Sequence, residues 1–245
     1  MPLSSLPETL DVPAGHYILS DHLGGRQAVE AFSLDTFPVT VERYRTFVDA
    51  GGYEDWELWE DEGWHWLQTE QITGPRLWDA HNPDVDGMFT KVQATLLAEF
   101  VLPHKPVIGV SWYEADAFCR FFGKKLPTEV QWEAAARGPE GLTYPWGNQW
   151  EATGIGAWGN RSGGKRVTAA VDQFPEARGP LGHFDLVGNI WQWTSAPWNP
   201  KDPEGKAAAR GGSWGSSASE CTNAARNGFD RHAQWTHVGF RTVTP

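Results

Sequence analysis

Cysteine is scarce in this chain: two residues in 245, Cys119 and Cys221. Two are too few for a disulfide framework, so a stable core has to come from packing. Long apolar runs are missing as well. No stretch approaches the roughly 18 apolar residues of a membrane span, and Met1-Pro2-Leu3-Ser4-Ser5-Leu6 has neither a basic n-region nor an apolar h-region. No membrane partner is expected, and the chain reads as cytoplasmic. Positive charge is short too, with 20 Lys and Arg against 31 Asp and Glu, a net of −11. A surface of that sign repels a phosphate backbone, which argues against nucleic acid as a partner. Internal repeats and low-complexity tracts are absent from the sequence.

Tryptophan, glycine and proline are in excess, at 15, 27 and 17 residues. Each buried indole needs an acceptor for its N–H, while glycine and proline interrupt regular structure. Together they predict a loop-rich fold held by aromatic plugs. Hydrophobic residues make up 40% of the chain, enough for a sizeable core, and the mean hydropathy of −0.48 is that of a soluble protein. Acidic residues crowd one segment: Glu54, Asp55, Glu57, Glu60, Asp61 and Glu62, with Trp56 and Trp59 between them. Charge runs are usually solvated faces, so a solvated loop is expected whose tryptophans plug the core. The alternative is an acidic rim that recruits a basic ligand.

Residues 12–19 read as an opening strand and 31–35 as its partner. After Pro38, Val41, Tyr44, Phe47 and Val48 recur at helical spacing, and Gly51-Gly52 ends the run. A second helix opens at Ser111 with Glu114 three residues on, a capping box. It turns Trp112, Ala115, Phe118, Cys119 and Phe122 towards the core and stops at Gly123. A third opens at Thr128 with Gln131 in the same box and ends at Gly138, its Trp132-Glu133-Ala134-Ala135-Ala136 run favouring helix. Beyond residue 140 the pattern becomes turns and short β segments at 167–171, 190–194, 208–214 and 239–243. The Gly-rich stretch 154–164 marks no change of composition. One α+β domain over residues 12–245 fits, with 1–11 as an N-terminal extension.

Eight short motifs run in order: Pro13-Ala14-Gly15, Pro38-Val39-Thr40, Pro106-Val107 with Val110-Ser111-Trp112, Leu126-Pro127-Thr128-Glu129 with Trp132-Glu133, Pro145-Trp146-Gly147-Asn148, Val187-Gly188-Asn189, Arg210-Gly211-Gly212-Ser213 and Gly239-Phe240-Arg241. Each is weak alone, but the ordered set is specific. It resembles the formylglycine-generating enzyme (sulfatase-modifying factor) family, whose domain also forms the C-terminal part of ergothioneine-type sulfoxide synthases. The resemblance covers residues 12–243. It implies an irregular, loop-rich α+β fold related to C-type lectins, with little regular secondary structure.

The same resemblance assigns candidate sites. Copper oxidase members carry two cysteines five residues apart after the Gly-Gly-Ser-aromatic run; here those positions are Ser216 and Cys221. These are the candidate catalytic residues, yet a protonated hydroxyl is a poor donor to soft Cu(I), which prefers thiolates. Copper loading and formylglycine generation on a sulfatase are therefore not expected. Iron is not expected either, because the related iron enzymes take three histidines mainly from a separate helical domain. The segment Asp185-Leu186-Val187-Gly188-Asn189-Ile190-Trp191-Gln192 resembles a family calcium loop. It implies a structural calcium on the Asp185 side chain, the Gly188 and Ile190 carbonyls, and Gln192, where a Glu is usual; hard oxygen donors suit that ion. A second such loop would fall near Trp158-Gly159-Asn160. In relatives the C-terminal loop lines the pocket, so the ligand-binding candidates are Ser213, Trp214, Arg226, Asn227, Asp230, Arg231, His232, Trp235 and His237. Arg226 and Arg241 are read as braces before they are read as ligand contacts.

The leading functional reading is a protein of this type that binds a small molecule or peptide in that pocket without the two-cysteine copper site. One alternative is an oxygen-dependent oxidoreductase that acts on a thiol or peptide through Cys221, or performs sulfoxide-synthase-like tailoring. Another is a lectin-like display protein with a retroelement-diversified loop. Glu220, Gln234 and Trp235 stand against that, because the codons such loops vary do not encode these residues.

Overall fold

A computed structural model describes residues 6–78, 98–150 and 167–244. The chain opens as two antiparallel pairs, not the single pair expected. β1 (Thr9–Val12) pairs with a strand that runs Phe32–Asp35, while β2 (Gly15–Ile18) pairs with β3 (Arg26–Val29). The break falls at Pro13, which has no N–H to give to a ladder, so the two halves of the run take different partners. Pairing begins at Thr9, ahead of the expected domain start. The Phe32–Asp35 strand is β4.

Helix α1 (Val41–Asp49) forms as its spacing predicts, with Thr40 capping the Arg43 amide and Val41, Tyr44 and Phe47 buried. The acidic segment is not a loop. Trp56–Leu58 makes a 3-10 turn, and Asp61–Glu70 is helix α2, with Asp61 and Glu62 in the first turn where the helix dipole favours negative charge. Trp59 does plug the core, its indole donating to the Gly52 carbonyl at 2.9 Å, whereas Trp56 is 63% exposed. Helices α3 (Trp112–Phe121) and α4 (Glu129–Arg137) start on the two expected capping boxes. Phe122, expected inside, is partly exposed beside Phe121 because the helix ends before that face turns back to the core.

In the C-terminal half, β5 (Trp191–Asn199) and β6 (Asp202–Arg210) form a hairpin longer than the segments expected at 190–194 and 208–214. β7 (Arg226–Asp230) extends it on one side and β8 (Val238–Gly239) on the other, in the order β7-β6-β5-β8. β9 (Val243–Thr244) joins β4, so the expected 239–243 segment divides between two sheets. Residues 167–171 form no strand. There the Asn189 side chain stands in for a neighbouring strand, accepting from the Ala169 amide at 3.0 Å and donating to the Ala169 carbonyl at 3.2 Å. The stretch 154–164, with Trp158-Gly159-Asn160, lies outside the described residues.

Helices α1 and α3 pack together in the main core, where Tyr44 stacks on Phe118 with centroids 5.3 Å apart and Phe240 meets both edge-on. Indoles tie this layer to the hairpin: Trp112 donates to the Thr194 carbonyl at 2.8 Å and Trp193 to that of Val110 at 3.1 Å. Helix α4 lays Ala134 and Ala135 on the N-terminal strands, and Trp132 and Ala136 against Leu186, Val187 and Cys221. The fold is the loop-rich α+β domain that the aromatic-plug composition predicts.

Candidate functional site

The Arg-Gly-Gly-Ser turn builds the first cluster. Gly212 has φ +75°, and a Cβ there would lie 3.0 Å from Cys221 Sγ and 2.6 Å from the Glu220 carbonyl oxygen. Only glycine lets the 213–221 segment fold back so closely. Ser216 Oγ accepts from the Ser213 amide at 3.1 Å and lies 3.4 Å from Ser213 Oγ. Cys221 Sγ sits 4.0 Å from the Ser213 carbonyl oxygen and is fully buried. Ser213, Ser216 and Cys221 thus come together, but with one sulfur among hydroxyls. That donor set does not fit a two-thiolate Cu(I) centre. Trp214 packs inward against Phe100, with centroids 5.6 Å apart. It is a core residue, not a pocket wall.

The 185–192 loop is a closed hydrogen-bond unit. Asp185 Oδ2 accepts from Asn189 Nδ2 at 2.9 Å, and burial raises the Asp185 carboxyl to about 7. Gln192 donates through Nε2 to the Asp185 carbonyl at 2.7 Å. Its Oε1 accepts from Arg241 Nε at 2.6 Å and from the Trp132 indole at 3.0 Å. Both amide ends of Gln192 are therefore committed. Of the four implied ligands, Asp185 and the Gly188 and Ile190 carbonyls keep oxygens to offer, with the Asp172 carboxylate near Asp185, against the roughly six to eight oxygens the ion takes. The fully buried Arg241 guanidinium also lies against the loop, donating to the Phe184 and Asp185 carbonyls at 2.6 and 3.1 Å. The four residues share one loop, but as arranged they do not fit a calcium site that includes Gln192. Among the described residues no three His, Cys, Asp or Glu side chains gather as metal ligands.

The remaining candidates lie on β7 and the 231–237 segment. Arg226 is a brace: it grips Glu129 with two bonds of 2.7 and 3.0 Å, donates to the Trp198 carbonyl at 2.8 Å and lies 4.1 Å over the Trp198 ring. Asn227 Oδ1 accepts from the next amide, Gly228. A Cβ on Gly228 would be 2.4 Å from Trp198, so that indole closes over the strand. Asp230 is exposed and accepts through its carbonyl from Ala233 N. Arg231 faces the protein, 4.2 Å over Trp112 and within 3.5 and 3.6 Å of Glu60 and Glu204. Trp235, 40% exposed, leans on Phe229 and His237, and burial holds the His237 imidazole below its ordinary pKa.

His232 lines an open cavity of about 600 Å³, together with Trp66, Glu70, Ile72, Arg76, Ala233 and Gln234. Behind its wall the fully buried Glu114 accepts from Gln234 Nε2 at 3.0 and 2.9 Å, from Tyr53 OH at 2.5 Å and from the Ser111 amide at 2.6 Å. Sequence reasoning missed Trp66, Gln234 and this use of Glu114. One signal was present: Glu114, Phe118 and Phe122 are spaced by four, which puts a carboxylate in line with an apolar face.

An irregular α+β domain whose Arg-Gly-Gly-Ser turn seats a single buried thiol defines a class: the formylglycine-generating fold without its paired cysteines. The chain belongs to the family of the sulfatase-modifying factor enzyme 1-like domain, whose model matches residues 2–245. It is 34% identical to the hercynine oxygenase of Mycolicibacterium thermoresistibile over 176 residues, 70% of this chain but only 37% of that protein. It is 29% identical to the inactive Cα-formylglycine-generating enzyme 2 of Mus musculus, over 97% of this chain and 86% of the relative. Among solved structures, Treponema denticola variable protein 1 superposes with a TM-score of 0.65 at 18% identity, covering 96% of this chain and 94% of that one; at that identity the fold alone is shared.

Proposed function

We propose that this protein does not generate formylglycine and that it binds a small molecule or peptide in the cavity between α2 and residues 231–237. The observation that carries the first half is the Ser213, Ser216 and Cys221 cluster, which offers one sulfur where the copper chemistry needs two. The likeness over nearly full length to a mouse relative named as inactive supports the same reading. For the second half, the Trp66 indole and Ile72 supply apolar wall, while Glu70, Arg76, His232 and Gln234 supply polar groups. An aromatic wall with a few polar groups is the usual make-up of a small-ligand site.

Cys221 chemistry with oxygen is less well supported, because the thiol is fully buried under Gly212. A diversified display loop is disfavoured too, since Gln234 is tied to a buried carboxylate and is not free to vary.

Three measurements test the proposal. Copper-supplemented protein incubated with a cysteine-containing sulfatase-type peptide should leave the peptide mass unchanged, and a formylglycine product would overturn the first half. Ser216→Cys should raise Cu(I) affinity by about tenfold or more, since it completes a thiolate pair. For the cavity, hercynine and a short cysteine peptide serve as calorimetric probes. One of them should bind, and Trp66→Ala should weaken that binding about fivefold or more. No heat from either probe overturns the ligand-binding half.

A further inference from the structure

We propose that Glu114 is the positioning residue of this cavity: its ionised carboxylate holds Gln234 in the cavity wall, and taking up a proton releases that wall. The inference rests on the reading of the cavity as the ligand site and names how that site is regulated.

The geometry begins with one side chain that belongs to two places. Gln234 lines the cavity, and its Nε2 reaches both oxygens of Glu114 and lies 3.4 Å from the Gly74 carbonyl. Every other partner of Glu114 also donates. Tyr53 OH, from the turn after α1, bonds Oε1 and lies 2.9 Å from Tyr44 OH of α1. The Ser111 amide bonds Oε2 as part of the α3 cap. No Lys or Arg among the described residues bonds to Glu114, and Arg76 stands on the wall of the same cavity. Arg231, on the same segment as Gln234, is turned to Glu60, Glu204 and Trp112; Asp116, on α3, pairs with Arg120; Glu62, on α2, accepts from Tyr113 at 3.1 Å. Burial without a bonded counter-charge raises the Glu114 carboxyl to about 7.

A carboxyl group that gains a proton gains a donor and needs an acceptor. Four donor contacts surround it, so one must turn away or reverse. The Ser111 amide is fixed in the helix cap. Tyr53 can reverse only if Tyr44 does, and that would turn the buried Tyr44 hydroxyl proton away from its one acceptor into a core of Phe47, Phe118 and Phe240. Gln234 sits on a loop and has a rotatable amide, so it yields. The bonds it loses are charge-assisted, roughly twice as strong as neutral ones. His232 and Ala233, which share the cavity wall, are held less firmly once it lets go.

The test follows the ¹H–¹⁵N side-chain amide signals of Gln234 in the full chain from about pH 5.5 to about pH 8.5. The signals should shift sigmoidally with a midpoint near 7, and the shift should vanish in Glu114→Gln. Backbone exchange of residues 231–237, corrected for intrinsic rates, should be about threefold faster or more at low pH than at high pH. Signals that stay fixed, or that titrate unchanged in the variant, overturn the proposal. Should Glu114→Gln fail to fold, Gln234→Ala leaves the cap intact. It should bring exchange at high pH up to the wild-type rate at low pH, and an unchanged rate overturns the proposal. None of these readouts needs a ligand. Failed probe binding with an intact Gln234 titration therefore sinks the function reading alone, and the reverse pattern sinks only the role of Glu114.

Discussion

Arg210 is a full charge with no solvent exposure, and its neighbours explain how that is tolerated. The guanidinium donates to Glu133, to Glu129 Oε1 at 3.1 Å and to the Asn223 carbonyl at 3.1 Å, and lies 5.5 Å from the Trp132 ring. Glu133 also accepts from the Ser20 amide and hydroxyl at 2.5 and 2.8 Å and from Arg137 at 3.1 Å, which ties α4 to the N-terminal hairpin. Burial opposes ionisation of Glu129, but the Arg226 and Arg210 guanidiniums outweigh it and hold that carboxyl below its ordinary range. Breaking such a cluster strands charge, whereas replacing it whole does not. Arg210→Met is therefore expected to destabilise the protein by about 3–5 kcal/mol in urea unfolding. Arg210→Met combined with Glu133→Gln should recover part of that loss, because the amide removes the stranded charge and its oxygen still accepts from Ser20. A single substitution costing under about 1 kcal/mol would show that water reaches the cluster.

The 185–192 loop poses the same problem for a whole element. Gln192 satisfies Arg241, Trp132 and the Asp185 carbonyl at once, so Gln192→Ala should cost about 2–4 kcal/mol through unpaired buried groups. Because those bonds already hold the loop, melting temperatures in calcium and in EGTA should agree within about 1 °C. A bound ion would instead add stability by mass action, lost on chelation, and a chelator-induced fall that Asp185→Ala abolishes would establish it. Elements of this fold were legible where their causes are local. The boxes at Ser111 and Thr128 and the spacing of Val41, Tyr44 and Phe47 lie within one or two turns of chain. Helix α2 was not legible, because its buried Leu67 is outnumbered by acidic residues that read as a solvated run. The site was legible as a list of residues but not as an arrangement. Arg226 meets Glu129 97 positions away and Gln234 meets Glu114 120 positions away, and no local pattern encodes either contact.

Across the whole molecule the buried titratable groups set how stability depends on pH. Glu114 and Asp185 are both raised to about 7 by burial, so the folded chain holds protons there that the unfolded chain has lost. Their contribution is complete below the ordinary carboxylate range and is lost as pH rises through about 7, on the order of 3 kcal/mol each. His183 works the other way. Burial is the main cause that lowers it to about 3, helped by the Arg241 charge, so its contribution is present above the ordinary histidine range and drains away as pH falls towards 3. Glu129 adds to that acid loss, and so does Glu8, which its hydrogen bond from Lys124 holds low. The net charge of −11 shrinks on acidification, which relieves self-repulsion over the range where the two carboxyls gain. Two carboxyls outweigh one histidine between about pH 4.5 and 6.5, so stability is greatest at about pH 4.5, not at neutral pH, and falls below about pH 4. Urea midpoints at about pH 4.5, 5.5 and 7 should fall in that order, with a smaller further fall to about pH 8.5. In Glu114→Gln the decline from 5.5 to 8.5 should be shallower. A wild-type midpoint that rises through pH 8.5 would mean that a cation compensates these carboxylates.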